Sequence, residues 1–353
     1  MQPSTSPPPR RYWQPLLIAV LTAGLLWMFF RNVDLAQAWD AVTRAHLGLI
    51  AAAICVTFLT YTLRAQRWLI LLSPLGPVRF RTAFRTTVIG FMALFLLPGR
   101  VGEILRPYLL ARQEGLKATS AFATVIVERL LDMATVLLLF AFALPLAGVD
   151  VGRQVRLAGI IAAIGAVLAL GLLFVFAGHP ERLGRIAGRL GRRLPRKMAE
   201  ALARIVQTFA EGLAVMRSPA HLARAAVWSV AVWLSISLGI WLASHAFDLH
   251  VSFVGSFIVV GYLAVGVSVP TPGGAGGFHY FYLAALTTFF GANPAVAAAA
   301  AIVLHLLSFV PVTILGLAFM WQDGLTLGGL KSMRAEAQAA EMPPQDPDRR
   351  NRP

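Results

Sequence analysis

Six charged residues stand where an apolar chain would be expected to carry none. Arg100, Glu103 and Arg106 follow a proline-glycine break at Leu97-Pro98-Gly99, and Glu128, Arg129 and Asp132 interrupt the apolar run 120–147. A charge in the bilayer interior costs about 2.5–3.5 kcal/mol on insertion scales, so such residues are candidates for function. Arg100, Glu103 and Arg106 recur every three residues and share a helix face. Two guanidiniums around one carboxylate leave net positive charge, which suits a phosphate held by paired N–H donors. An internal ion-pair network that only locks the segment to its neighbours fits the same residues. Glu128 and Asp132 are four apart and would repel unless something positive faces them. Arg100 or Arg106 is the expected partner; a protonated acid that relays protons is the alternative. Arg64 and Arg67 read as snorkelling anchors near the end of a span.

A second break, Val269-Pro270-Thr271-Pro272-Gly273-Gly274-Ala275-Gly276-Gly277, is built of glycine instead of charge. Gly273, Gly274 and Gly276 permit positive φ and close backbone approach, and Pro272 fixes the turn. The helix expected from 278 would offer its N-terminal N–H groups to an anion, with His279 and Tyr280 beside them. His279 is counted as a substrate contact, with a packing histidine as the plain alternative. His46, His245, His250 and His305 have no such setting and are assigned nothing. The chain has no P-loop, no metal-spaced His/Cys cluster and no GxSxG elbow, so no cofactor or metal and no catalytic residue is expected. Transport would then be downhill, ion-coupled or driven by a partner.

The elements that must position these residues are membrane helices. Of 353 residues, 58% are hydrophobic and 13% charged, and mean hydropathy is +0.70, too apolar for a soluble domain. Full spans are expected at 15–31, 47–72, 120–147, 156–178, 223–246 and 295–321. The pieces 83–97, 101–112, 253–269 and 278–291 fall short and read as two hairpins of half-helices, one at each break. The first span follows Arg10 and Arg11 and shows no cleavage site, so it is expected to be retained. Cys55, the one cysteine, reads as packing.

The net charge of +15 is gathered in loops: Arg10/Arg11, Arg79/Arg81/Arg85 and above all the segment 179–219. Such a distribution follows the positive-inside bias, sets both termini in the cytoplasm and argues against nucleic acid. Counting from there gives full span, hairpin, full span twice over, in opposite orientations. The fold expected is thus all-α and integral to the membrane, with about six full transmembrane helices and two re-entrant hairpins in an inverted repeat. About eight to ten complete spans is the alternative. Residues 1–13 and 331–353 read as disordered, and 14–322 as the membrane domain. In 179–219, Leu183, Ile186, Leu190 and Leu194 fit an amphipathic helix on an anionic inner leaflet, and equally a solvated basic loop.

Taken in order, Arg64-x-x-Arg67-Trp68, Pro98-x-Arg100-x-Gly102-Glu103-x-x-Arg106, Val127-Glu128-Arg129-x-x-Asp132 and Pro270-x-Pro272-Gly273-Gly274-x-Gly276 resemble the lysylphosphatidylglycerol synthase transmembrane-domain family, also called flippase-like, over roughly 15–322. The resemblance implies movement of a phospholipid or lipid-linked headgroup between leaflets of the bacterial cytoplasmic membrane. The chain has no room for that family's cytoplasmic domain, so the resemblance implies the flippase half alone, with a separate synthase as a possible partner. The family often carries Glu where this sequence has His279, which leaves the headgroup open. Two other readings stand beside the flippase: a non-catalytic membrane subunit of a lipid-modifying synthase, and a membrane-embedded headgroup transferase.

Overall fold

The computed structural model describes residues 13–31, 33–97, 100–149, 151–177, 218–269, 271–326 and 328–329. Among them the chain is wholly helical: α1 (Trp13–Phe30), α2 (Leu35–Arg44), α3 (Leu47–Leu72), α4 (Phe80–Leu96), α5 (Val101–Glu114), α6 (Ala118–Leu146), α7 (Gly152–Ala177), α8 (Pro219–Ala246), α9 (Gly255–Ser268), α10 (Gly277–Phe290) and α11 (Pro294–Gln322). The helices α3, α7, α8 and α11 are long and apolar enough to cross a membrane. The 29-residue α6 has the length as well, but carries Glu128, Arg129 and Asp132. The expected surface helix at 183–194 and the tail after 331 lie outside the described residues.

The long helices α3 and α8 run antiparallel. The His46 N–H at the start of α3 donates to the Ala246 carbonyl at the end of α8, and further along Arg67 donates to Ser229. The short helices pair off as hairpins around the two breaks. Gly102 of α5 lies against the Gly90 carbonyl of α4, and Gly277 of α10 lies against the Gly266 carbonyl of α9. A Cβ on either residue would overlap that carbonyl, so both hairpins close through a glycine-on-glycine contact that no other residue permits. Helices of 14 and 17 residues reach only about 21–26 Å, short of the roughly 30 Å hydrocarbon core.

The hairpins enter from opposite ends of the bundle. At one end Asp40, Asp248 and Asn293, the last at the mouth of the second hairpin, line a common cavity of about 480 Å³. At the other end Arg79 donates to Glu114 across the mouth of the first hairpin, and Arg85 reaches Asp323 at the end of α11. Their tips meet inside. The rings of Phe95 and Phe309 lie 4.1 Å apart, Gly273 lies beside the Phe95 carbonyl, and Arg100 donates to the Val267 carbonyl at 3.4 Å. The units α3–α4/α5–α6 and α8–α9/α10–α11 therefore repeat one plan in opposite directions, and the hairpin helices turn back inside the bundle.

Between the first two long helices, Asp34 accepts from the N–H groups of Ala36 and Gln37 and starts α2, a ten-residue helix with its apolar side on the bundle. One expectation needs correction. Cys55 does not pack inside; it lies exposed on the outer surface of α3.

Candidate functional site

Arg64 and Arg67 stand three apart on α3, so they share one face; Glu128 and Asp132 stand four apart on α6 and share another. Where these faces meet, two carboxylates are held among four guanidiniums. Arg67 and Glu128 have no exposed side-chain surface. Arg67 Nη1 donates to Asp132 Oδ1 and to Ser229 Oγ at 2.9 Å, while its Nη2 lies 2.9 Å from Glu128 Oε1. Trp233 of α8 donates its indole N–H to Asp132 Oδ1 at 2.9 Å.

From α5, Arg106 donates to both oxygens of Glu128, at 3.0 and 3.1 Å, with its guanidinium 3.8 Å from the centre of the Trp68 ring. Trp68 is itself fixed by a bond to Thr124. Arg129 reaches Glu128 at 3.1 Å and Asp132 at 3.5 Å, and with 41% of its side chain exposed it is the cluster's open side. Arg64 is buried over the Phe91 ring, 4.0 Å from Asp132.

Four cations against two anions leave the cluster positive. Its surplus is visible as buried donors: Arg64 Nη1, Arg67 Nε, Arg106 Nε and Nη2, and Arg129 Nε make no hydrogen bond among the described residues. Buried charged donors without partners are costly, so a group of this kind suits an incoming anion. Both carboxylates already face arginine, which leaves no unpaired acid for the proton relay entertained from sequence.

The structure brings together Arg106, Glu128, Arg129 and Asp132 of the expected set, with Arg106 paired to Glu128 and Glu103 near enough for its charge to act on Arg129. Arg100 and Glu103 form their own loose pair, 3.9 Å apart and partly exposed, at the first tip. Arg100 holds a left-handed backbone (φ 54°), a conformation uncommon outside glycine and found where a break is over-determined by its surroundings. Pro272, Gly273, Gly274 and Gly276 shape the second tip, the glycines with φ of 59°, 70° and 84°. His279 stands beside them, stacked near His305. Sequence reasoning missed three of these participants. Arg64 and Arg67 are cluster members and not anchors, and the signal was their three-residue spacing opposite two acids four apart. His305 donates to the Gly273 carbonyl at 2.9 Å, a link across 32 residues that no local pattern announces.

Residues 15–316 match the model of the lysylphosphatidylglycerol synthase TM region. The chain belongs to that family. Relatives within reach of sequence comparison include a UPF0104 membrane protein of Methanothermobacter thermautotrophicus, 27% identical over 88% of this chain and 92% of its own length. A second UPF0104 membrane protein of the same organism is 27% identical over 79% of this chain and 86% of its own. The glycosyltransferase AglD of Haloferax volcanii is 26% identical over 85% of this chain, which spans about half (52%) of AglD. Like the rest of the lysylphosphatidylglycerol synthase TM family, the chain is a multi-pass membrane protein.

Proposed function

We propose that this protein moves a phosphate-bearing lipid, a phospholipid or a lipid-linked headgroup, between the leaflets of a bacterial cytoplasmic membrane. The observation that supports this most is the set of guanidinium donors on Arg64, Arg106 and Arg129 that have no partner among the described residues inside an apolar bundle. Glu128 lies ten residues into α6, about 15 Å along the helix, near half the depth of a hydrocarbon core of roughly 30 Å. A phosphate passing there exchanges its water for preorganised N–H donors. Arg106 and Arg129 receive it, Arg64 adds a third cation, and Glu128 and Asp132 hold the arginines apart. Arg100 and Glu103 guard the first tip, while Pro272, Gly273, Gly274, Gly276 and His279 shape the path at the second. Both termini and the basic segment 179–219 face the cytoplasm, the latter against anionic lipid.

The binding half of this reading is tested by melting the detergent-solubilised protein with added phosphatidylglycerol or diacylglycerol. Phosphatidylglycerol raises the melting temperature and diacylglycerol does not, and Arg64→Gln with Arg129→Gln removes the difference. Equal shifts from both lipids would overturn the phosphate site.

A second reading has one observation in its favour: AglD is named a glycosyltransferase, and this chain spans about half of it. In that reading the chain presents a lipid to a separate transferase or synthase. A lipid chemically altered in the presence of that partner, with no change of leaflet, distinguishes it.

A further inference from the structure

The second tip holds a pair of titratable groups that the anion site does not use. His279 lies in the first turn of α10 and His305 in the middle of α11, with ring centroids 4.6 Å apart and planes tilted by 34°. The Gly273 carbonyl can only accept, so His305 Nε2 carries a hydrogen and its Nδ1 is the position free to gain one. His279 Nδ1 is buried and makes no hydrogen bond among the described residues.

Aromatic rings wall the pair. Phe29 of α1 meets His279 edge-on at 5.3 Å, Phe278 of α10 meets His305 at 5.2 Å, and Phe309 of α11 stacks on His305 at 4.1 Å. From α4, Phe95 touches Phe309. Tyr282 of α10 is turned to Ser244 of α8, Tyr262 of α9 to Phe281 and Phe289, and Arg100 of the first tip to the Val267 carbonyl. The titratable group acting on His279 is His305. The break itself contributes Thr271, whose hydroxyl is buried with no partner among the described residues.

We propose that His279 and His305 form a single-proton site that couples one proton to the movement of the second hairpin. Two imidazolium rings this close, with apolar walls, repel strongly, so the pair accepts one proton and not two. A protonated His305 donates a charge-assisted bond to the Gly273 carbonyl and holds the glycine turn shut; loss of the proton leaves the weaker neutral bond and frees the turn. The inference goes beyond lipid movement, since it supplies a driving ion for whatever cargo the hairpin serves.

The test labels Thr271→Cys with a small polar thiol reagent in the full chain, reconstituted in phosphatidylethanolamine–phosphatidylglycerol vesicles on a Cys55→Ser background. Rates are taken relative to the same protein carrying His305→Gln, which cancels the pH dependence of the thiol. The ratio should fall about five-fold or more from about pH 8 to about pH 5.5 as the turn closes; a constant ratio overturns the proposal. Should His305→Gln fail to fold, histidine ring carbon NMR on unaltered protein decides. One titration shared by the two rings supports the site, and two independent ordinary titrations overturn it. Lipid movement is measured separately at symmetric pH. A titrating label without lipid movement overturns the flippase reading alone, and lipid movement with a flat label overturns the proton site alone.

Discussion

Arg67 and Asp132, 65 residues apart, are joined at 2.5 Å with neither side chain open to the surroundings beyond 8%. One guanidinium thereby ties α3 to α6 and, through Ser229, to α8. It is the central fastener of the charged cluster, and the other three arginines are arranged around the acids it holds.

Removing that fastener takes from both carboxylates the one guanidinium they share that is wholly buried, and leaves its place between α3 and α6 empty. Arg67→Ala should destabilise by about 3–5 kcal/mol, seen as a lower melting temperature and loss of a monodisperse peak in detergent. Arg67→Lys keeps charge but not the fork, and should fall between. An Arg67→Ala protein that melts with wild type would contradict the burial described.

Arg106 and Arg129 should separate stability from function. Arg106 is buried and donates from Nη1 to both oxygens of Glu128, so Arg106→Gln should cost several kcal/mol, about 3 or more. Arg129 is partly open, and Arg129→Gln should cost about 1 kcal/mol or less while weakening stabilisation by phosphatidylglycerol. The pair of melting curves, with and without that lipid, checks both statements.

The glycine contacts of the two hairpins should fail alike. A Cβ at Gly266 would stand 2.6 Å from the Gly277 carbonyl, and one at Gly102 would overlap Gly90. Gly266→Ala and Gly102→Ala should each destabilise by at least about 1–3 kcal/mol. Gly165, in α7, has open space around it, so Gly165→Ala should be neutral or stabilise by a few tenths up to about 1 kcal/mol. Expression level and thermal melting of the three variants rank them.

Cys55 lies on the outer face of a span, eight residues into α3 and so about 12 Å along it. In native membranes a lipid-soluble maleimide should modify it readily and a charged maleimide should not. Equal reaction with both would place that face in water.

Much of the fold was legible because bilayer physics leaves so little choice. Long apolar runs bounded by arginine loops read as spans, and the runs cut short at the two proline-glycine breaks read as paired short helices. The helices found at 80–96, 101–114, 255–268 and 277–290 fit that reading. The short helix α2 was less visible, since its ten residues carry little apolar signal, although Asp34 is a readable cap. In the site, Arg106 opposite Glu128 was legible from the need to neutralise paired acids. Arg67 was not, because its place near the end of an apolar run imitates an anchor, and the acids it meets stand on another helix, α6. The contact between Arg100 and Glu103 followed from spacing, but the left-handed backbone at Arg100 did not, since spacing carries no information on φ at a break.

Whether the arginine cluster moves a phosphate lipid across the bilayer is measured directly by translocation of a headgroup-labelled phosphatidylglycerol in proteoliposomes. Wild type should expose inner-leaflet label to an external quencher far faster than empty liposomes do, and the folded Arg64→Gln/Arg129→Gln protein should be slower by about ten-fold or more, roughly 1.4 kcal/mol or more of lost stabilisation. Wild-type protein no faster than empty liposomes, or a double variant as fast as wild type, would contradict it.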